Sequence, residues 1–465
     1  MFKKFTNGCV ALVQKYLPDA YIFAIILTII AFIGGMAATG QGIVDMTKHW
    51  GNGVWSLLAF SMQMVLVLVL GNAFAISKPI KKVLDNISGL AKTPGAAIMI
   101  VSFVSGVACW LNWGFGLIVG ALLAKEMAKK VKGVDYRLLI AAAYSGFVVW
   151  HAGASGSVPL SLASDANEVA KVTMNAVTET IPVARTLFSV PNLAMTWLVI
   201  LSLPLLNRAM HPTPDKVVAI DPKIIEEEER AAKEKEEREA AFDKSKLTPA
   251  EKLENATILS WLVVAACFIY LFVHFKNNGF QLSLNIVNMI FLSLGILFHG
   301  TPINYVRAIN ESAGGAAGIL LQFPFYAGIM GIMTGANADG VSLASTITDF
   351  FLNIANKNNF PMLTFWSAGL INLFVPSGGG QWAVQGPIAM PASIGLGVDP
   401  AITAMAIAWG DAWTNMIQPF WALPALGLAK LGAKDIMGYC VVVLLYVGII
   451  VSVGFYLWAK LATGI

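Results

Sequence analysis

The feature that most limits the fold of this chain is a series of apolar blocks, each about as long as a bilayer is thick. The clearest blocks cover residues 21–38, 54–76, 187–206, 256–275, 282–298 and 436–458. A helix needs roughly 20 such residues to cross the hydrocarbon core, whereas strands of a membrane barrel alternate apolar and polar residues over about ten positions. Because these blocks do not alternate, the sequence predicts an all-α, polytopic membrane protein.

The composition supports this interpretation. Apolar residues make up 57% of the chain, charged residues only 12%, and the mean hydropathy is +0.69. A soluble domain has about a quarter of its residues charged. The sequence has no Walker-type phosphate loop, nucleophile triad or metal-spaced cluster. We therefore expect neither an enzyme nor a nucleic-acid-binding protein, and no cofactor or metal other than a bound sodium ion.

A charged segment at residues 208–255 separates two hydrophobic halves, 1–207 and 256–465. Between Arg208 and Glu254 there are 10 Lys or Arg and 13 Asp or Glu residues. Their spacing favours a solvated helix with ion pairs between residues four apart. We interpret the segment as a cytoplasmic linker.

Basic residues near the ends of the apolar blocks indicate the orientation. Lys3 and Lys4 precede the first block, Lys82 follows the second, and Lys125 follows the next apolar stretch. The positive-inside tendency places all four on the cytoplasmic side, so we expect a cytoplasmic N-terminus in a multi-pass protein of the inner membrane. Residues 95–124 must then enter the membrane and return, which predicts a re-entrant hairpin with its tip at 112–116.

The second half repeats this pattern. Gly133-Val134-Asp135 in the first half recurs as Gly397-Val398-Asp399 in the second. The offset between these two triplets also superimposes the first hairpin on a second at 361–396, whose tip lies at 376–381. A helix broken by Gly and Pro follows each hairpin, at 137–165 and at 400–429. The remaining helices are expected within 20–76, 187–207, 256–336 and 436–458.

Counting the spans makes the first hairpin open to the inside and the second to the outside. Repeats of opposite orientation are typical of alternating-access transporters. The fold that we predict therefore consists of inverted repeats, each with a re-entrant hairpin and a broken transmembrane helix.

The hairpin tips and the breaks are the candidate substrate site. Unwound backbone persists at membrane depth only where it is buried in protein or lines a wet cavity. Its carbonyls can bind a cation, and the N–H groups of the half-helix that follows can bind a carboxylate. The alternative is that these glycines serve only close helix packing. The candidate substrate-binding residues are Asn112, Gly114, Gly116, Ser155, Ser157, Ser377, Gly378, Gly379, Gly380, Gln381, Thr414 and Asn415.

Two ionisable residues, His151 and Asp411, fall well inside predicted spans, where a charged group is costly and hence a functional candidate. The candidate ion-coupling residues are Asp411, Asn415, Thr414, Asn112 and His151. Asp411 would either bind sodium or carry a proton with His151 as a relay; the alternative is that Asp411 only pairs with a neighbour. No Arg or Lys lies within a predicted span, which favours a small monoanion over a dianion as the substrate. An ion gradient is the expected driving force.

Four motifs carry a resemblance to a known family. They read WLNWGFG at 110–116, WHAGASGSVPLSLAS at 150–164, FVPSGGGQWAVQGP at 374–387 and GDAWTNMIQPFWALP at 410–424. Together they resemble the bacterial short-chain fatty acid transporter family, over nearly the whole chain. The resemblance implies short monocarboxylates such as acetoacetate and butyrate as substrates.

That family is similar to a larger ion-transporter superfamily of dicarboxylate, citrate and aminobenzoyl-glutamate carriers. The kinship implies a homodimer, a scaffold domain, a transport domain with two hairpins, and elevator-like movement. It also implies unwound segments at 152–157 and 414–419. The dicarboxylate branch has Ser-Asn-Thr tips where this chain has Asn-Trp-Gly and Pro-Ser-Gly, so the resemblance leaves the coupling ion open between sodium and a proton.

Three hypotheses follow. The first is an ion-coupled symporter of short monocarboxylates. The second is a carrier of the same fold for a dicarboxylate or an amino acid. The third is a passive channel or a membrane enzyme.

Overall fold

The computed structural model describes residues 2–164, 166–240, 247–279 and 283–463. Parts of several predicted segments lie outside these residues: the last residue of the broken helix 137–165, residues 241–246 of the linker, residues 280–282 within the helices at 256–336, and the outermost residues of both halves. All regular structure in the described ranges is helical.

The first half contains eleven helices among its described residues. They are α1 (Phe2–Tyr16), α2 (Ala20–Thr39), α3 (Ile43–Val54), α4 (Leu58–Ala75), α5 (Lys78–Ser88), α6 (Pro94–Leu111), α7 (Trp113–Lys130), α8 (Tyr136–Ser145), α9 (Ser157–Ser164), α10 (Ala166–Val172) and α11 (Val190–Ala209). A 3₁₀ segment, Gly146–Ala152, follows α8 directly.

The linker and the second half contain twelve more within the described ranges. They are α12 (Pro222–Ala240), α13 (Pro249–Glu254), α14 (Thr257–Asn278), α15 (Leu284–His299), α16 (Pro302–Ala313), α17 (Ala317–Thr334), α18 (Leu343–Asn353), α19 (Phe360–Asn372), α20 (Gly378–Gly395), α21 (Pro400–Thr414), α22 (Pro419–Ala429) and α23 (Ala433–Thr463). A 3₁₀ turn, Asn415–Ile417, joins α21 to α22.

Eight helical stretches in the described chain are long and apolar enough to cross a membrane. They are Ala20–Thr39, Leu58–Ala75, Pro94–Leu111, Tyr136–Ser164, Val190–Ala209, Pro249–Asn278, Pro302–Thr334 and Ala433–Ala462. Two shorter apolar helices, α15 and α22, accompany them. The prediction of an all-α, polytopic membrane protein is confirmed.

The helices of the two halves correspond in order and in position. α5 begins at Lys78 and its counterpart α18 at Leu343, while α8 begins at Tyr136 and its counterpart α21 at Pro400. Both pairs keep the offset of the Gly-Val-Asp triplets to within a single position. The corner before each broken helix is also the same. Gly133 and Gly397 have φ of +78° and +67°, which glycine adopts without strain.

At each corner, the second residue after the glycine is the N-cap of the broken helix. Asp135 accepts from Leu138 N at 2.9 Å, and Asp399 accepts from Ala401 N at 2.9 Å. Each aspartate thereby satisfies a backbone donor of the first turn. The same local chemistry therefore starts both broken helices.

The packing exchanges partners between the halves. α2 packs against α17, whereas α15, the counterpart of α2, packs against α4, the counterpart of α17. α3 packs on α17 as α16 packs on α4. This exchange is what a two-fold relation between the halves produces, while the orientation of its axis to the membrane stays a prediction.

The helices group into two sets by their contacts. The outer set comprises α2–α4 and α14–α17; the break set comprises α1, α6–α11 and α19–α23; α5 and α18 lie between them. Small residues occur where the sets meet. A β-carbon on Gly427 would come 2.7 Å from the carbonyl oxygen of Gly315, and one on Gly318 would come 3.4 Å from Leu423.

The linker forms the helix that its spacing predicts, with ion pairs Arg230–Glu234 at 3.6 Å and Lys233–Glu237 at 3.9 Å. It also contacts the break set, which the sequence did not indicate. Val218 N donates to Asp135 Oδ2 at 2.9 Å. Lys430 pairs with Glu227 and, by this hydrogen bond and its charge, holds the pKa of the Glu227 carboxyl below its ordinary value.

Besides α10, the sequence analysis omitted four short helices, α1, α3, α5 and α18. They are amphipathic rather than uniformly apolar, so they do not produce an apolar block. The second span also begins later than expected, at Leu58 rather than at residue 54, because a turn at residues 55–57 separates it from α3.

Candidate functional site

The two broken helices cross at their breaks. The indole Nε1 of Trp150, in the first break, donates to Asn415 Oδ1 in the second at 2.9 Å. The hydroxyl of Tyr144 donates to the carbonyl oxygen of Asn415. The described backbone between the half-helices is 3₁₀ or irregular, and Pro419 begins the half-helix that follows the second break.

His151 and Asp411, which belong to different halves of the chain, meet at this crossing. His151 Nδ1 lies 3.3 Å from Asp411 Oδ1, with the side chains 0% and 1% exposed. His151 Nε2 accepts from Val158 N at 3.1 Å and lies 2.9 Å from Ser157 Oγ. Because a backbone N–H can only donate, Nε2 is the acceptor, and Nδ1 carries the proton that bonds Asp411.

The tip of the second hairpin lies against this pair. A β-carbon on Gly378 would come 2.6 Å from both His151 Cε1 and Ser157 Oγ. A β-carbon on Gly379, by contrast, would have no described atom within 4 Å. Gly379 is exposed and Ser157 is half-buried, so the crossing is accessible on this side.

In both hairpin tips the N-cap side chain accepts a hydrogen bond from the backbone N–H three residues later, but the tips differ in how many other backbone N–H groups lack an acceptor. Asn112 Oδ1 accepts from Phe115 N at 3.0 Å, and Ser377 Oγ accepts from Gly380 N at 3.2 Å. At the first tip, Trp113 N donates to Ser155 Oγ at 3.1 Å.

At the second tip, the N–H groups of Gly378 and Gly379 have no acceptor among the described residues. The N-terminus of a helix attracts anions through such groups. Of the two tips, the second therefore offers a carboxylate two free donors.

The glycines of the first tip have packing partners. A β-carbon on Gly116 would come 2.4 Å from Cys109 N, so α6 and α7 can approach this closely only with glycine there. Gly114 lies near Leu284 and Val67 of the outer set, at ordinary contact distances. The packing alternative accounts for Gly116, and a ligand role for both glycines stays a prediction.

Asn372 is a residue of the crossing that the sequence analysis missed. Its Nδ2 donates to the carbonyl oxygen of Asp411 at 2.8 Å and to Thr414 Oγ1 at 2.9 Å. Gln418 Nε2 donates to the carbonyl oxygen of Asn372 at 3.0 Å. A polar side chain in the apolar run of α19 was the signal that could have identified it.

Several buried side-chain oxygens at the second hairpin and the second break have no donor within the described part of the chain. They are Asp411 Oδ2, Asn372 Oδ1, Gln381 Oε1 and Gln418 Oε1. The amide nitrogens of the three amides donate to carbonyl or side-chain oxygens, which fixes their orientation. Oxygen atoms are the ligands that a hard cation prefers, and a bound sodium ion stays a prediction.

Aromatic rings enclose the other side of the crossing. Trp150 stacks on His151 with 4.0 Å between ring centroids. Trp113 of the first tip packs edge-on to Trp421 of the second broken helix at 5.2 Å, and Phe147 lies 5.3 Å from Trp421. The sequence analysis singled out neither Trp150 nor Phe147, although both lie in the predicted broken helix.

All residues of the crossing and of the two hairpins lie within the part of the sequence that matches a known family. A family model described as "Short chain fatty acid transporter" matches residues 1–458. The chain belongs to the short-chain fatty acid transporter family. The resemblance inferred from the four motifs is confirmed.

Two relatives, both provisionally named short-chain fatty acid transporters, match over nearly their full length. One, from Escherichia coli (strain K12), is 46% identical over 449 residues, 96% of this chain and 97% of the relative. The other, from Haemophilus influenzae (strain ATCC 51907 / DSM 11121 / KW20 / Rd), is 45% identical over 458 residues, 98% of this chain and 100% of the relative.

Among solved structures, the Alcanivorax borkumensis YdaH transporter is similar with a TM-score of 0.44 and 15% identity, covering 96% of this chain and 98% of that one. The family of the chain consists of membrane transporters. The prediction of a multi-pass transporter that is not an enzyme is thereby confirmed.

Proposed function

We propose that this member of the short-chain fatty acid transporter family carries short monocarboxylates, such as butyrate or acetoacetate, across the bacterial inner membrane by symport with an ion. The observation that carries the proposal is the free N-terminus of α20, which lies beside Ser157 and His151 at the crossing of the two broken helices.

The carboxylate of the substrate binds the N–H groups of Gly378 and Gly379. The first turn of a helix supplies unpaired donors and a partial positive charge. The exposed Gly379 admits the anion, and the hydroxyl of Ser157 lies next to Gly378. Asn415 Nδ2, which has no acceptor among the described residues, is a further donor at the crossing.

The charge of the site favours one carboxylate over two. Within the described chain, the hydrogen bonds and ion pairs of His151, Asp411 and Asn415 involve no Arg or Lys, and the Val158 N–H keeps His151 an acceptor at Nε2. A second buried carboxylate would therefore have no counter-charge. The apolar tail of a short fatty acid is compatible with the aromatic rings nearby.

Sodium is the coupling ion that the buried oxygens favour. Asp411 Oδ2, Asn372 Oδ1, Gln381 Oε1 and Gln418 Oε1 would hold it, and its charge would neutralise Asp411. A proton carried by Asp411 with His151 as its relay is the alternative mechanism. The two differ in which gradient drives uptake.

The two sets of helices suggest how the site is exposed to each side in turn. In the proposed elevator movement the outer set stays fixed and forms the homodimer, while the break set slides past it along the glycine-containing boundary. The two hairpins would be re-entrant and oppositely oriented, with the N-terminus and the linker in the cytoplasm.

Uptake into proteoliposomes tests the proposal. Labelled butyrate, succinate and an amino acid are offered in turn, with sodium and pH gradients imposed separately. We expect butyrate to accumulate and the sodium gradient to drive it. Accumulation of succinate or the amino acid instead would assign the chain to another solute, and downhill flux that neither gradient affects would indicate a channel.

A further inference from the structure

A fully buried asparagine on α11 connects both broken helices. Asn192 is 0% exposed, and its Nδ2 donates to the carbonyl oxygen of Ala152 at 3.2 Å and of Leu187 at 2.8 Å. Its Oδ1 accepts from Trp409 Nε1 at 2.8 Å. An indole can only donate, so the orientation of the amide follows from its partners.

Two of these bonds, those to Ala152 and Trp409, connect Asn192 to the parts of the site that must be held in register. Ala152 directly follows His151 and is the last residue of the 3₁₀ segment in the first break. Trp409 lies on α21, two residues before Asp411. Asn192, which lies outside both breaks, therefore bonds the backbone next to His151. It also bonds α21, the helix that carries Asp411.

Backbone of this kind needs an external partner. The carbonyl of Ala152 belongs to a segment that leaves helical geometry, where intrahelical donors are lost, and an unpaired carbonyl at this depth is costly. Asn192 supplies the donor. The bond to Ala152 thus stabilises the unwound conformation. Together with the bond from Trp409, it fixes the position of this segment relative to α21.

We propose that Asn192 is a positioning residue for transport: it holds the first break and α21 in the relative position that brings His151 to Asp411. The transport measurement that tests this inference rests on the proposed function. The second test, hydrogen–deuterium exchange, needs the structure alone. Asn192 touches neither the proposed carboxylate donors nor the buried oxygens assigned to the cation.

The test replaces Asn192 with leucine, which has the same branching and no hydrogen-bonding groups. Asn288→Leu is the matched control: Asn288 is also a buried asparagine that donates to a backbone carbonyl on a neighbouring helix, that of Gln63 at 3.1 Å, but it belongs to the outer set. Trp409→Phe removes only the bond to Oδ1 and keeps an aromatic ring.

We expect Asn192→Leu to raise the KM for butyrate about tenfold, since three buried hydrogen bonds are lost. Asn288→Leu loses one such bond, so it should cost less thermal stability and change KM less than twofold. Trp409→Phe should give a smaller rise, and the two changes together should raise KM less than the product of the single effects. Equal KM changes in Asn192→Leu and Asn288→Leu would overturn the assignment.

Hydrogen–deuterium exchange gives the readout that needs no substrate. Backbone amides in residues 147–158 should exchange faster in Asn192→Leu than in the unmodified protein. In Asn288→Leu the same amides should exchange at the rate of the unmodified protein. Unchanged exchange in Asn192→Leu would contradict the inference. If the unmodified protein fails to transport butyrate, the proposed function fails while this comparison still decides the role of Asn192.

Discussion

An ionised Asp411 would have no counter-charge among the described residues that it contacts. Its Oδ1 accepts from His151 Nδ1, but the backbone N–H of Val158 makes Nε2 of the same ring an acceptor, so the ring is neutral. Its Oδ2 has no donor among the described residues. An uncompensated buried carboxylate costs several kcal/mol, so a cation or a proton should neutralise it during transport.

Asp411→Asn separates these two possibilities, because it keeps the shape of the side chain and removes both its charge and its titration. With sodium as the coupling ion, we expect uptake to persist but to need at least about tenfold more sodium, since one charged ligand is lost. Uptake by proteoliposomes over a range of sodium concentrations measures this. Loss of gradient-driven accumulation with intact substrate exchange would indicate the proton mechanism, and unaltered behaviour in both assays would make Asp411 structural.

Gly379 gives a test of the anion site that does not depend on folding. Gly379→Val should reduce butyrate uptake at least about a hundredfold, because the added methyl groups occupy the approach to two backbone donors. No described atom lies within 4 Å of the new β-carbon, so the protein should insert and stay folded. Uptake and thermal stability are measured on the same preparation.

Gly395→Val is the matched control for that change. Gly395 is the last residue of the same helix, is exposed, and likewise has no described atom within 4 Å of a β-carbon. Its uptake should stay within twofold of the unmodified value. Normal transport by Gly379→Val would move the carboxylate site away from this hairpin.

Sequence reasoning could single out individual residues of the site but not their contacts. His151 and Asp411 are conspicuous because ionisable residues are costly within apolar spans. That they touch depends on the crossing of two breaks from different halves of the chain, which no local pattern encodes. Asn372 and Asn192 were missed for a related reason: each is one polar residue in an apolar helix, and only its partners give it a role.

At the scale of the elements, the long apolar helices and the breaks were predictable within a few residues. The predicted hairpin at 95–124 corresponds to α6 and α7, Pro94–Lys130, which a single residue, Asn112, joins. The predicted break after residue 400 falls at the 3₁₀ turn Asn415–Ile417. Local signals, Gly and Pro within apolar runs, suffice for these elements, whereas the short amphipathic helices give no such signal.

The opposite orientation of the two repeats is tested by the accessibility of their matching corners. Gly133 and Gly397 themselves have positive φ, where a cysteine would be strained. Their exposed neighbours Lys132 and Gly395 are better positions. Single cysteines there, in a background without the four native cysteines, should label from opposite faces: residue 132 from the cytoplasmic side and residue 395 from the other.

An impermeant maleimide applied to intact cells and to inverted vesicles distinguishes the faces. Labelling of both positions from one face would contradict the inverted repeats. The labelling pattern also reports on the topology independently of transport, because it needs no substrate.

At the scale of the whole molecule, the proposed elevator movement predicts that transport requires the break set to move relative to the outer set. Gly318 of α17 and Leu423 of α22 face each other across the boundary, with 3.4 Å between a β-carbon on Gly318 and Leu423 Cδ2. Joining cysteines at these two positions with a short thiol reagent should lower uptake at least about tenfold, and cleaving a reducible reagent should restore it.

A second pair within the outer set controls for the reagent. Gln63 Nε2 donates to Asn285 Oδ1 at 2.9 Å, between α4 and α15. Cross-linking cysteines at 63 and 285 should leave uptake within twofold, since both helices belong to one set. Unimpaired transport with the Gly318–Leu423 link in place would exclude the sliding movement at this boundary.

The exchange of packing partners between the halves has a consequence for how the chain is made. α2 leaves the ribosome early, but α17, the helix it packs against, ends only at Thr334. At about 5–20 residues per second, roughly 15 to 60 s separate the synthesis of α2 from that of its partner. During that interval α2 and α4 must stay in the bilayer as independently inserted spans, with lipid on faces that later contact protein. Biogenesis therefore ends with an assembly step in which the second half completes a domain that the first half has already begun.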